Sequence, residues 1–129
     1  MRVNDAMSTV VLTIGPRHTL REAAVLMSAR RIGSAVVVDP ETYGIGILTE
    51  RDVLNAIGRG LDPDAERAED HLTSELVFAT PTWTLDQAAE AMVRRGFRHL
   101  VVLDQDEVVG MLSVRDVVGS WVRTRDPVG

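Results

Sequence analysis

Gly46-Ile47-Leu48-Thr49-Glu50-Arg51-Asp52-Val53 returns 64 residues later as Gly110-Met111-Leu112-Ser113-Val114-Arg115-Asp116-Val117. A glycine, two apolar residues, a hydroxyl and an Arg-Asp pair, twice in the same order, point to an internal duplication. The likeness runs upstream. Thr19-Leu20-Arg21-Glu22-Ala23-Ala24-Val25-Leu26-Met27 aligns with Thr84-Leu85-Asp86-Gln87-Ala88-Ala89-Glu90-Ala91-Met92 at an offset of 65, Pro16 aligns with Pro81, and Ala35-Val36-Val37-Val38-Asp39 aligns with Leu100-Val101-Val102-Leu103-Asp104. One residue lost from the turn that follows accounts for the change of offset.

Both halves predict the same elements. Thr19 and Thr84 suit the N-cap of amphipathic helices in which Leu20, Ala23, Ala24 and Met27, or Leu85, Ala88, Ala89 and Met92, recur at helical spacing. Those helices end near Arg30-Arg31 and Arg94-Arg95-Gly96, with cations at the negative end of the dipole and, in the second, a glycine stop. The continuously apolar runs 35–38 and 100–103 read as buried strands. Turns at 39–41 and 104–106 lead to second strands from Ile45 and Val108, and second helices start at Thr49 and Ser113. Short first strands are expected near Val10–Ile14 and Leu76–Ala79. The fold class is therefore α/β in its α+β form: two β-α-β-β-α repeats, residues 1–62 and 63–129, in a pseudo-twofold pair. Gly58-Arg59-Gly60-Leu61-Asp62-Pro63-Asp64-Ala65-Glu66 reads as the linker, with a short helix near 64–72. A unit of about 60 residues buries too little surface to be secure alone, so the halves are expected to pack together.

Composition removes several function classes. The 129 residues amount to one domain, and 45% hydrophobic residues can fill a core. No Cys is present, which excludes disulfides, thiolate zinc sites and thiol nucleophiles and fits a reducing compartment. All 14 basic residues are Arg, so no lysine can form a Schiff base or a Walker-type phosphate contact. The net charge of −5 lacks the basic excess of a nucleic-acid binder. Neither an 18-residue apolar run nor a signal peptide is visible, so no membrane partner and a cytoplasmic location are expected.

The repeated hydroxyl-x-x-Asp has two readings. As a capping box, hydroxyl and carboxylate each satisfy a backbone N–H of the first helical turn. As a ligand site, the helix N-terminus attracts phosphate, the hydroxyl donates, and the carboxylate accepts from vicinal ribose hydroxyls. Arg51 and Arg115 add charge for phosphate oxygens.

The paired Gly-x-x-Thr/Ser-x-x-Asp motifs, the Pro16 and Pro81 segments and the Val-Val-x-Asp strand ends resemble a tandem pair of CBS domains, the Bateman module. The resemblance covers nearly the whole chain. It implies a regulatory module, not an enzyme, with pseudo-symmetric clefts between its two repeats for adenosine-containing ligands: AMP, ADP, ATP or S-adenosylmethionine. It also implies assembly into a homodimer. On this resemblance Asp52 and Asp116 take the ribose, and Thr49 and Ser113 supply the hydroxyl. Thr13 and Phe78, three residues before the proline, line base or ribose. Gly33-Ser34-Ala35 and Arg98-His99-Leu100, at the entry to the middle strand, border adenine or phosphate. Arg98-His99 resembles the basic pair that grips phosphates in the γ subunit of AMP-activated kinase. The first half has no charge there, which implies unequal clefts. No metal or required cofactor is expected, the nucleotide being a regulatory ligand, and output is expected through an unknown protein effector in trans or through self-assembly.

The competing classes are a ligand-free dimerisation module and a hydrolase. Ser113, Asp116 and His99 name the elements of a triad, yet Ser113 lacks the Gly-x-Ser-x-Gly elbow and its acid already fits the cap. His18 and His71 stand alone, and with no Cys and no His pair at helical spacing a metal site is not expected. The Arg30-Arg31 and Arg94-Arg95 clusters terminate helices. Trp83 and Trp121 read as core or dimer-interface residues.

Overall fold

The computed structural model describes residues 1–125. Its elements are α1 (Val3–Ala6), β1 (Thr13–Ile14), α2 (Leu20–Arg30), β2 (Ser34–Val38), β3 (Ile45–Thr49), α3 (Glu50–Gly58), a 3₁₀ turn (Ala68–Asp70), β4 (Phe78–Ala79), α4 (Leu85–Arg95), β5 (His99–Asp104), β6 (Glu107–Ser113) and α5 (Val114–Arg125). They form two compact units, one of residues 12–75 and one of residues 1–11 with residues 76–125.

In the first unit β1, β2 and β3 lie in that order, β1 parallel and β3 antiparallel to β2. Alternation along the strands sends Ile14, Ala35, Val37 and Leu48 to one face, where they bury against Leu20, Ala23 and Met27 of α2 and Val53 and Ala56 of α3. Val36 and Ile47, of the opposite parity, are buried as well. Helix α2 starts with a full capping box: the Thr19 hydroxyl accepts from the Glu22 amide and Glu22 accepts from the Thr19 amide. It ends on Arg31 in the left-handed conformation (φ 55°).

The second unit repeats this plan with β4-β5-β6 and a core of Ala79, Ala88, Met92, Leu100, Val102 and Leu112, joined by Val3 of α1. Thr84 and Gln87 form the box of α4, which ends on Gly96 at φ 71°. The turns differ. The first hairpin uses residues 39–44, with Asp39 Oδ1 accepting from the amides of Glu41 and Thr42. The second closes from Asp104 to Glu107 over Gln105 and Asp106, both at positive φ, and takes up its changed length as a register shift at Val102/Leu103.

The lead-in to each repeat belongs to the other repeat's unit. Ser8 and Met111 exchange backbone hydrogen bonds of 2.8 and 3.0 Å; Thr73 and Ile47, the positions equivalent to Ser8 and Met111, exchange two of 2.9 Å. Val3 N donates to Trp83 O and Ala68 N to His18 O; Asn4 N donates to Pro81 O and Glu69 N to Pro16 O. Two departures from the sequence expectation follow. β1 and β4 are two residues long instead of five and four, with one further bond each, Val36 N to Leu12 O and Val101 N to Val77 O, continuing the pairing toward the N-terminal side. The expected helix near 64–72 shrinks to a 3₁₀ turn because its amides at 68 and 69 are spent on the Pro16 loop. Trp83 packs partly buried against the second core, whereas Trp121 is 59% exposed and lies outside it.

Candidate functional site

At one end of the first sheet Ser34 pairs directly with Thr49. The Glu50 amide donates to Gly33 O at 2.9 Å, which holds the start of α3 against the entry of β2. Thr49 Oγ1 accepts from the Asp52 amide at 3.2 Å and Asp52 Oδ2 accepts from the Thr49 amide at 2.8 Å. Both side chains are half-buried and Arg51 is exposed. Thr13, opposite Val36 in the β1–β2 register, is exposed.

The second sheet has the same end. His99 pairs with Ser113, the Val114 amide donates to Arg98 O at 2.9 Å, Ser113 Oγ accepts from the Asp116 amide at 3.1 Å and Asp116 Oδ2 accepts from the Ser113 amide at 2.8 Å. Phe78, opposite Val101, is 40% exposed; Arg98 and Arg115 are exposed and His99 is half-buried.

The capping geometry therefore exists in both repeats. It does not exhaust the side chains: each hydroxyl accepts in the box and keeps its own proton to donate, and each aspartate keeps Oδ1 as an acceptor. Helix N-termini at both ends add positive potential. Of the fourteen positions expected to meet a ligand, Ala35 and Leu100 bury their side chains in the helix-facing cores, so they offer a ligand backbone only. Their strand parity, opposite to Ser34 and His99, is the reason.

A cavity of about 560 Å³ in the first unit lies elsewhere, along Gly15, Pro16, Arg17, His18, Glu22, Asp39 and Glu41. Its carboxylates oppose phosphate, and His18 is engaged there, Nδ1 accepting from the Gly15 amide at 3.1 Å. His71 pairs with Glu66 at 2.8 Å. Among the described residues no cluster of three His, Asp or Glu is arranged to hold a metal, and no helix is long and apolar enough to cross a membrane.

Glu50 is the residue that motif reading overlooked. It interrupts an otherwise matched run, with Val114 as its counterpart, and its carboxylate stands beside Gly33.

Two repeats of mixed α+β structure, each presenting a hydroxyl, an aspartate and a helix N-terminus at one sheet end, define a tandem-repeat module. The chain belongs to the CBS domain family, whose model matches it twice, over residues 3–59 and 68–122. It is 34% identical over 116 residues to the CBS domain-containing protein YhcV of Bacillus subtilis, covering 89% of this chain and 81% of that one. Among solved structures it resembles the CBS domain protein PAE2072 from Pyrobaculum aerophilum complexed with AMP, at 30% identity and TM-score 0.78 over 90% of this chain and 89% of that one. It also resembles the CBS-domain containing protein ATU1752 from Agrobacterium tumefaciens, at 32% identity and TM-score 0.78 over 94% and 99%.

Proposed function

We propose that the protein is a cytoplasmic regulatory module that binds an adenosine-containing ligand, AMP, ADP, ATP or S-adenosylmethionine, at its sheet ends and has no catalytic step. The repeats 1–62 and 63–129 act together as one Bateman module. Asp52 and Asp116 accept from ribose hydroxyls through their remaining oxygens, Thr49 and Ser113 donate, and Arg51, Arg98, Arg115 and His99 face phosphate. Thr13, Phe78, Gly33, Ser34 and the backbone of Ala35 and Leu100 border the base and sugar. The observation that carries this is the exposed Arg98 set beside the His99–Ser113 pair and the Asp116 carboxylate, on a chain 30% identical to a protein solved with AMP.

Self-association as a homodimer is supported by exposed apolar side chains at equivalent positions of α3 and α5: Leu54 and Val118, Ile57 and Trp121. Such patches mark contact surfaces. Output then passes to an effector protein or through the assembly itself. Isothermal titration against AMP, ADP, ATP and S-adenosylmethionine tests the binding; saturable heat with one of them is expected.

One observation favours a ligand-free dimerisation module instead. Thr49 with Asp52 and Ser113 with Asp116 already complete their caps. Absence of heat and of thermal shift with all four ligands would select that alternative.

A further inference from the structure

The chain has no Cys, so its oxidisable sulfur lies entirely in five methionines. Met27, Met92 and Met111 are 4%, 5% and 7% exposed, and burial keeps their thioethers from oxidants in water. Met1 is 57% exposed, so a polar group on its sulfur disturbs little packing. Met7 alone combines access with packing: it is half-buried and lies against the second core together with Ala6 and Trp83. Its sulfur is seated on the buried Gly110, where a β-carbon would stand 2.6 Å from Met7 Sδ and 3.1 Å from Met7 Cγ. Ser8, directly after it, exchanges backbone hydrogen bonds of 2.8 and 3.0 Å with Met111 of β6. In the first unit the equivalent seat holds Leu72, whose Cδ1 stands 2.8 Å from a β-carbon on Gly46, beside the Thr73–Ile47 pair. One seat is therefore filled by a hydrocarbon and the other by a thioether.

We propose that Met7 is an oxidation site whose sulfoxide releases the N-terminal lead-in from β6. The oxidant is a peroxide. A sulfur lone pair attacks one peroxide oxygen, the O–O bond breaks as the S–O bond forms, and the departing oxygen leaves as water once it has taken up the proton. Sulfur loses two electrons and the peroxide gains them. The sulfoxide adds an oxygen to an atom already packed on the Gly110 backbone, and it turns an apolar group into a strong acceptor that must find a donor or reach water. Met7 moves off Gly110 to do so, and Ser8, its chain neighbour, is drawn from Met111. The outer edge of β6 is then uncovered, a row of backbone groups open to pairing. Leu72 has no such chemistry, so the duplication yields one peroxide-sensitive clasp and one inert clasp. Neither step depends on the nucleotide reading above.

Hydrogen peroxide treatment of the full chain, followed by peptide mass mapping and amide hydrogen exchange, tests this in wild type and in Met7→Leu, which copies the Leu72 clasp. Both proteins keep Met1, so its oxidation is common to them. In wild type Met1 and Met7 are expected to gain an oxygen each while Met27, Met92 and Met111 stay reduced. The Ser8 and Met111 amides are then expected to exchange about tenfold faster than before treatment, with the Thr73 and Ile47 amides unchanged. Methionine sulfoxide reductases with a dithiol, which takes up the oxygen as water and becomes a disulfide, are expected to restore slow exchange. Met7→Leu is expected to keep slow exchange at Ser8 and Met111 after the same treatment. Met7 left reduced when Met1 has reacted overturns the proposal. So does a Met7 sulfoxide with unchanged exchange at Ser8 and Met111, or equal acceleration in Met7→Leu. If circular dichroism shows Met7→Leu to be unfolded, wild type before peroxide, after it and after the reductases decides by itself.

Discussion

Gly110 is pressed against Met7: a β-carbon there would lie 2.6 Å from Met7 Sδ and 2.9 Å from Ser8 O. The contact exists because Ser8 bonds to Met111 across the edge of β6, and only a bare backbone admits the lead-in at that distance. Gly110→Ala is therefore expected to destabilise the protein by about 1–3 kcal/mol in denaturant unfolding. Gly46→Ala is expected to cost less, because the closest atom it meets is the Leu72 Cδ1 methyl, at 2.8 Å. Equal stability of Gly110→Ala and wild type would mean that the lead-in is not held against β6.

Asp116 caps α5 and, in the proposed function, also holds ribose, and different substitutions divide the two roles. Asp116→Ala removes the acceptor of the Ser113 amide and is expected to cost about 1 kcal/mol of stability. Asp116→Asn keeps an acceptor for the cap but loses the charge proposed to grip ribose. Its unfolding midpoint is expected to stay near wild type while nucleotide affinity falls about tenfold, as for a lost charge-assisted hydrogen bond. An Asn variant that binds as well as wild type would reduce Asp116 to a cap.

The second hairpin turns on Gln105 (φ 52°) and Asp106 (φ 68°), a conformation suited to an asparagine followed by a glycine. The double substitution Gln105→Asn with Asp106→Gly is expected to raise stability by about 0.5–1 kcal/mol, since left-handed residues other than Gly and Asn carry a steric cost. A lower melting temperature would show that the native pair makes compensating contacts.

Much of this fold is written locally in the sequence. Thr19, Thr49, Thr84 and Ser113 each stand three residues before Glu, Asp or Gln, and all four cap as boxes. The helix ends at Arg31 and Gly96 and the strands around 35–38 and 100–103 follow equally local patterns. The exchanged lead-ins do not: Ser8 to Met111 and Thr73 to Ile47 are backbone bonds over long separations, which residue type does not announce. At the candidate site, the hydroxyls, aspartates and Arg98 stand out as motif residues. The position of Glu50 against Gly33 depends on a bond between two elements, and the burial of Ala35 and Leu100 on strand parity. Neither is visible until the register is known.

The Glu22 carboxyl is held below the usual glutamate range because it accepts from the Thr19 amide, with the Thr19 hydroxyl assisting. A carboxyl with a lower pKa in the folded chain stabilises the protein above its unfolded pKa, and the benefit is lost as pH falls through the folded value. Glu22→Gln keeps the capping acceptor, as Gln87 does in the other repeat, without the titration. Below about pH 4 wild type is expected to lose stability faster than Glu22→Gln. Parallel curves of melting temperature against pH would remove Glu22 from the acid response.

The most direct measurement is calorimetric titration of AMP into the wild-type chain and into Asp116→Asn, with thermal melting of both. Saturable binding to wild type, about tenfold weaker binding to the variant and closely similar melting temperatures without ligand are expected. No heat with wild type, or equal affinity in both proteins, would contradict the assignment of the paired aspartates to nucleotide recognition.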